Sequence, residues 1–393
     1  MEEVVLVGGV RTAVGTMNGS LKDVHQTDLG ALVIEEVLRR LEVDGKLVDE
    51  VIVGNVGQVA ESGFIARVCS LKAGLPLETT AYSVNRQCGS GLQAVNCAVQ
   101  AIQSGNAGVV VACGTENMNQ LPYYVRKGRF GYRFGHGQLE DGLLTILTWP
   151  MGPYPNGVTA ENVAERFGIS REEQDLFSLE SQRKAETAIR EGKFDAEIVP
   201  VEIPGKGETK TFRQDEHPRF GLTMEQLARL KPAFREGGSV TPGNSSGIND
   251  GAAAVLVMSA RRAEQLGLKP LLLIRSQAVA GVDPAIMGVG PIGATQKAVA
   301  KAGLKMDDID LFEVNEAFAA QAIQVVRALG IPKEKVNVNG GAIALGHPIG
   351  ATGVILTVKL QGEMARRRAR YGVVTMCIGG GQGIATVFEN IAV

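Results

Sequence analysis

The segment Val84-Asn85-Arg86-Gln87-Cys88-Gly89-Ser90-Gly91-Leu92-Gln93-Ala94 places a thiol between a short apolar strand and the first turn of a helix, flanked by small residues. A helix start carries partial positive charge and free backbone N–H groups, which favour a thiolate. Cys88 in that place has the chemistry of a nucleophile. A lone C-G-S-G turn reads better as a buried cysteine, so the choice rests on what else the chain carries.

Three further stretches place chemistry at strand-to-helix junctions. The first, Asn337-Val338-Asn339-Gly340-Gly341-Ala342-Ile343-Ala344-Leu345-Gly346-His347-Pro348-Ile349-Gly350-Ala351, holds one of only four histidines. Pro348 suits a first helical turn, so His347 is expected at a helix start, with glycines and alanines exposing backbone around it. The second, Met376-Cys377-Ile378-Gly379-Gly380-Gly381-Gln382-Gly383, sets a second thiol at a strand end. Its triple glycine lets N–H groups converge on a small anion, as in an oxyanion hole. It lacks the Lys-Ser/Thr of a Walker loop and the acidic residue of a dinucleotide site. The third, Glu313-Val314-Asn315-Glu316-Ala317-Phe318-Ala319, ends a strand at Asn315. That asparagine either caps the next helix or holds a water or a carbonyl oxygen.

The elements that position these residues follow from apolar periodicity. Residues 4–7, 51–53 and 109–112 read as strands, with helices over 29–41 and 91–104 between them. The order returns near the C-terminus, with strands over 271–274, 310–314 and 372–376 and helices over 294–302, 319–329 and 353–368. This predicts an α/β fold with a buried, largely parallel sheet, built as a duplicated unit. Chemistry-bearing junctions then share one sheet edge, where ligands bind in such folds. Between the halves, 119–249 is rich in Gly, Pro and aromatics. One polar helix is predicted there, over 170–192, opened by a Ser170/Glu173 capping box. The expected domains are 1–118 with 250–268, an inserted 119–249, and 269–393.

Composition narrows the class. The 393 residues are 45% hydrophobic and 21% charged with net charge −2, which gives no electrostatic argument for nucleic acid or an anionic membrane. Fifty glycines imply many tight turns or close backbone approaches. The cysteines are Cys69, Cys88, Cys97, Cys113 and Cys377; an odd number without a C-x-x-C pair indicates neither a disulfide framework nor a metal site. A reducing, cytoplasmic setting is expected. The acidic start Met1-Glu2-Glu3 is unlike a signal peptide, and no run reaches the ~18 apolar residues of a membrane span.

Along its whole length the chain resembles the thiolase family. The resemblance is carried by Arg11-Thr12-Ala13-Val14-Gly15, N-R-Q-C-G-S-G-L-Q-A around Cys88, Ala160-Glu161-Asn162, Gly243-Asn244-Ser245-Ser246-Gly247 with Asp250-Gly251-Ala252, N-E-A-F-A at Asn315, G-G-A-I-A-L-G-H-P-I-G at His347 and C-I-G-G-G-Q-G at Cys377. It implies two βαβαβαββ-type halves packed as an α-β-α-β-α sandwich with an inserted loop domain that binds coenzyme A. It implies an acetyl-CoA C-acetyltransferase or 3-ketoacyl-CoA thiolase working through a Cys88 acyl-enzyme by ping-pong kinetics. His347 would take the thiol proton, and Cys377 would act as acid and base. Cys88 and Gly379 N–H groups would form one oxyanion site; His347 and a water on Asn315 would form the other. Ser246 matches a pantetheine contact and Arg219 a basic residue near the nucleotide end. Met287, Ala317 and Phe318 match substrate-pocket positions, though Met287 and Phe318 serve equally as core side chains. The implied partners are acetyl-CoA, acetoacetyl-CoA or another 3-ketoacyl-CoA, free CoA, and further copies of the chain as a homodimer or homotetramer. No cofactor or metal is implied.

Two departures stand out. Short-chain biosynthetic members carry His-Met where this chain has Pro155-Asn156, and 123–134 is unusually rich in aromatics and arginine. Three alternatives follow. One is a β-oxidation thiolase for longer chains. A ketoacyl synthase shares the fold but lacks the second thiol, and a non-catalytic relative would have no use for all three reactive side chains.

Overall fold

The computed structural model describes residues 2–59, 63–205 and 207–392, so Met1 lies outside them. The first half runs β1 (Val4–Thr12), α1 (Gln26–Arg40), β2 (Glu50–Gly54), α2 (Ile65–Lys72), β3 (Thr80–Val84), α3 (Ser90–Gln103) and β4 (Val109–Asn117). Helices α4 (Asn156–Phe167) and α5 (Arg171–Arg190) follow, and β5 (Asn249–Ser259) returns to the sheet. The second half runs β6 (Leu272–Gly281), α6 (Gly290–Lys301), β7 (Leu311–Val314), α7 (Ala319–Leu329), α8 (Thr352–Arg367), β8 (Tyr371–Ile378) and β9 (Gln382–Asn390).

The strand order is β7-β8-β9-β6-β1-β5-β4-β2-β3. It reads outward from the β1/β6 seam in the same sense on both sides: first strand, last strand, then the inner ones. The seam itself is short, pairing Val5 with Leu273 and Leu6 with Leu272. Strands β4 and β5 are buried throughout and apolar except at their ends, because helices cover both faces and no side of them meets water. The sheet is mixed where the sequence suggested mostly parallel pairing. Only β2/β3, β2/β4, β7/β8 and the short Ile198–Val199 strand on β1 run parallel. In the second half the reason is local: β8 and β9 are joined by the tight Gly379–Gly381 turn, and a turn so short joins antiparallel strands only.

Helices α3 and α8 lie between the halves. Helix α3 packs on β2, β4 and β5 of the first half and on β9 of the second; α8 packs on β1, β4 and β5 and on β7 and β8. Helices α1 and α2 cover the outer face of one half, α6 and α7 that of the other. The result is a five-layer sandwich. In the central layer α3 is apolar or small over most of its surface, with Gln93, Cys97, Gln100 and Gln103 along the one stripe that reaches solvent. The two central helices meet at their first turns. A Cβ on Gly353 would lie 2.1 Å from Leu92 N, and one on Gly91 2.9 Å from Gly350 O.

Several local expectations change. β3, expected to be apolar, is a largely exposed edge strand. Among the described residues the second half has no counterpart of the edge strand β3; Val336 makes one parallel bridge to Phe312 instead. Asn337 explains this, since its side-chain amide accepts from Val314 N–H and donates to Val314 O, both at 2.8 Å, in place of a backbone ladder. The region 119–249 holds more than one helix: α5 has the predicted capping box, but α4 precedes it. Helix α4 begins after Pro155 with no side-chain cap, so the usual start signal is absent. The same region also supplies the Ile198–Val199 strand to the main sheet.

Because backbone atoms block the space at Gly353, Gly353→Ala must push α3 and α8 apart. We expect it to lower stability by about 2–3 kcal/mol, read as a lower urea midpoint. An unchanged midpoint would show that the helix contact is slack.

Candidate active site

The Cys88 turn is fixed by its own hydrogen bonds. Gly89 N–H donates to Arg86 O at 3.0 Å, and Ser90 N–H to Gln87 O at 2.9 Å. Ser90 Oγ accepts from Arg86 N–H at 2.9 Å and donates to Gln87 O at 2.6 Å. Gln87 takes a left-handed φ of 47° to close the turn. Cys88 is 5% exposed and packs with Val56, Met118 and Ile349, the last just beyond His347.

The sign of the expected ionisation is reversed. The N–H groups of Gly379 and Cys88 itself reach the sulfur and favour the thiolate, but burial outweighs them, and Glu116 adds negative charge nearby. Together these push the thiol up to about 11. The resting nucleophile is therefore a thiol, because a helix start offers less than water would to a buried sulfur anion.

His347 is 4% exposed and burial brings its pKa down to about 4, so it is a neutral imidazole. Its tautomer follows from its partners. Thr352 Oγ1 donates its hydrogen to Pro348 O at 2.9 Å, so it accepts from His347 Nδ1–H at 2.7 Å. Nε2 is left with its lone pair and faces Asn315 Nδ2 at 3.4 Å. Asn249 Oδ1 accepts His347 N–H at 2.9 Å and fixes the backbone there. His347 is thus built as a base.

Asn315 does not cap α7. The cap position is Phe318, whose N–H donates to Gln321 Oε1 at 3.3 Å. Asn315 Oδ1 is buried and finds no partner among the described residues. Of the two readings of this residue, an amide aimed at a bound oxygen-bearing group is the one the geometry keeps.

Cys377 ends β8 fully buried, clustered with Met287, Ala317 and the half-buried Phe318. Burial, and the proximity of Cys88, raise its pKa well above that of an ordinary thiol. In the strand order β8 is the counterpart of β4, and the register (Gly54 opposite Gly114, Val314 opposite Thr375) sets Cys377 level with Glu116 of the first half. After it, Gly380 and Gly381 both hold φ near 85°, at 86° and 85°, a conformation that glycine alone adopts freely. The Trp149 ring covers this turn, 3.0 Å from where a Gly380 Cβ would stand, and Asn156 lies beside Gly379.

Ser246 N–H donates to Ala317 O at 3.0 Å, and Ser245 bridges to Phe318, so the N-S-S-G loop and the N-E-A-F-A loop form one wall. Phe318 stacks edge-on against Phe234 with centroids 6.1 Å apart. Arg219 stands apart from the thiols, exposed at the surface, its N–H on Gln182 Oε1. Cys88, Gly379 and Cys377 thus lie together, and Cys377 adjoins Met287, Ala317 and Phe318, with Ser246 on Ala317. His347, paired with Asn315, sits two residues from the Ile349 that packs on Cys88; Arg219 is exposed at the surface.

Sequence patterns gave no role to several residues the structure uses. His25 caps α1, its Nδ1 accepting Thr27 N–H at 3.2 Å. His217 packs on Gly247 of the N-S-S-G loop, where burial first and Arg219 second lower its pKa to about 4. Glu116 is a buried carboxylate beside Cys88. Its signal was available as the one charge at the end of the apolar run 109–115. No cluster among the described residues is arranged to hold a metal ion.

If burial dominates as described, iodoacetamide labelling of Cys88 without substrate keeps accelerating with pH toward a midpoint of about 11. A rate already flat near neutral pH would mean a resting thiolate.

Comparison with known proteins agrees with this geometry. The family model described as "Thiolase, N-terminal domain" matches residues 4–261, and "Thiolase, C-terminal domain" matches 268–390. The chain is similar to an acetyl-CoA acetyltransferase of Pseudomonas aeruginosa, 52% identical over 387 residues, covering 98% of each chain. It superposes on the acetyl-CoA acetyltransferase of Bacillus anthracis with a TM-score of 0.98 and 45% identity, over 100% of this chain and 99% of that one. With human mitochondrial 3-ketoacyl-CoA thiolase in complex with CoA the TM-score is 0.96 at 43% identity, covering 99% and 98%.

Proposed function

The chain belongs to the thiolase family of acyltransferases, and from that premise we propose that it joins two acetyl-CoA into acetoacetyl-CoA and CoA, reversibly, through an acyl group on Cys88. The observation that carries this is the pairing of two neighbouring buried thiols with a neutral imidazole whose Nε2 is free to take a proton.

The proton balance closes with these side chains alone. Cys88 Sγ attacks the thioester carbonyl carbon while His347 Nε2 takes the thiol proton. N–H groups of Cys88 and Gly379, which already reach that sulfur, meet the oxyanion. The C–S bond to CoA breaks, and the CoA sulfur takes a proton from Cys377. The acyl-enzyme then holds an imidazolium and a Cys377 thiolate, so the buried site stays neutral overall. A second acetyl-CoA loses an α-proton to Cys377. Its enolate oxygen faces His347 Nε2–H and a water on the unpartnered Asn315 Oδ1. The enolate carbon attacks the acyl carbon, and Cys88 leaves with the proton from His347. A raised pKa suits Cys377, since a thiolate produced only by acylation is a stronger base when it is needed. Coenzyme A thioesters are the substrates, and no other cofactor enters.

The wall formed by Ser246, Ala317 and Phe318 suits the pantetheine and acyl end, and Met287 the acyl pocket. Exposed Arg219 suits the nucleotide end. Trp149 over Gly380 supports a short acyl group; Pro155-Asn156 is the feature that keeps longer chains in view. Self-association is part of the proposal. The exposed edge β3 carries Tyr82, and the hairpin of Tyr123–Val125 with Leu139–Asp141 exposes Tyr123, Phe130, Phe134 and Leu139. Both are surfaces a second copy would cover, in a dimer or a tetramer. Five free cysteines fit a cytoplasmic setting.

Two measurements test this reading. Cys377→Ser should slow condensation by about 10²–10⁴-fold and slow acylation distinctly less; equal loss in both half-reactions contradicts the assigned roles. Thiolysis should favour acetoacetyl-CoA, and a preference for 3-ketohexanoyl-CoA or longer chains would replace that substrate with those of β-oxidation.

A further inference from the structure

We propose that Glu116 is a positioning residue for acyl transfer: its carboxylate ties the loop after β2 to the loop that carries His347, and so sets His347 against Cys88. This rests on the roles just given to Cys88 and His347. Glu116 sits where β4 ends, fully buried, and four N–H donors converge on it. Oε1 accepts from Gly57 N–H at 2.9 Å and from Asn55 Nδ2 at 3.1 Å. Oε2 accepts from Val56 N–H at 3.0 Å and from Gly350 N–H at 2.9 Å. Three of these donors belong to the first half, and Gly350 belongs to the second.

The loops it joins are those of the site. Val56, one of the donors, and Ile349, next to the donor Gly350, both pack on Cys88. The carboxylate fills space that only glycine leaves open: a Cβ on Gly350 would lie 2.5 Å from Oε2, and one on Gly57 3.0 Å from Oε1. Among the described residues donors alone are hydrogen-bonded to the two oxygens, an arrangement that favours the charged form against burial. Burial, and to a lesser degree Asp250 on the neighbouring strand, raise this carboxyl's pKa to about 8 against the three backbone N–H groups, so the bridge carries its full charge above that pH, including the range in which Cys88 titrates. The anion has a second effect, because its charge favours the protonated form of Cys88, with Cys377 the other titratable group coupled to that thiol. Glu116 thus adds to burial, the larger cause, in keeping the nucleophile a thiol until His347 takes its proton.

Two variants separate position from charge. Glu116→Gln keeps the length but turns an NH2 toward one donor pair and removes the charge. Glu116→Asp keeps the charge but is too short to hold both pairs. We expect Glu116→Gln to lower kcat about 100-fold with KM for acyl-CoA changed less than about threefold, and to move the pH profile of Cys88 alkylation downward. It would thus alkylate faster at a given pH while turning over more slowly, which general structural damage does not produce. Glu116→Asp should lose turnover and leave the alkylation profile in place; if the Gln variant fails to fold, this pair of readouts carries the test. The proposal is overturned if either variant keeps kcat within about threefold of the parent, or if Glu116→Gln loses kcat with an unmoved alkylation profile. Cys88→Ser, assayed beside them, is expected to be inactive. An active Cys88→Ser would overturn the underlying role of Cys88, a failure distinct from that of the bridge.

Discussion

The first turns of α3 and α8 touch with no room for a Cβ at Gly91 or Gly353, and the site depends on that contact. Each helix is entered through a turn that carries a reactive side chain: Cys88 before α3, His347 before α8. Bringing the helix starts together therefore brings nucleophile and base together, one from each half. The seam between β1 and β6 is too short to do this alone. The central helices, buried between the two sheet halves, hold the register instead, and small residues at the contact are what let them approach.

That arrangement has an electrostatic consequence. The meeting point of the two helices is deep in the molecule, so every ionisable group there is pushed toward its neutral form. Cys88, Cys377 and His347 all follow this rule in their own directions. Glu116 follows it too, since burial raises its carboxyl to about 8 even though donors surround it. Charge appears during the reaction as a pair, an imidazolium with a thiolate, and is removed as a pair. A dry site strengthens each of those transient interactions and keeps the acyl group from water.

Much of this was legible in the sequence. Apolar periodicity gave the strands over 4–7, 51–53 and 109–112 and helices such as 319–329, because buried strands and buried helices differ in period. Glycine-rich stretches gave Cys88, His347 and Cys377, since backbone must come close there. What periodicity hid were features that depend on tertiary partners. Strand β3 looked apolar but is an edge; its counterpart in the second half is replaced by the amide of Asn337; α4 starts without a cap. Asn315 looked like a cap because it ends a strand before a helix, and only the position of Phe318 removes that reading. The ionisation of Cys88 was misjudged because a helix start is visible in sequence and burial is not. Glu116 is hidden in the sequence for a similar reason: its partners are backbone N–H groups and one side-chain amide from two distant loops.

The central claim is that the two thiols have different jobs, with Cys88 alone holding the acyl group. Rapid acid quench of the enzyme during turnover with isotopically labelled acetyl-CoA, followed by peptide mass spectrometry, tests it directly. The account predicts label on the Cys88 peptide, in the parent and in Cys377→Ser alike. Label on the Cys377 peptide, or its loss from Cys88 when only Cys377 is changed, would contradict it.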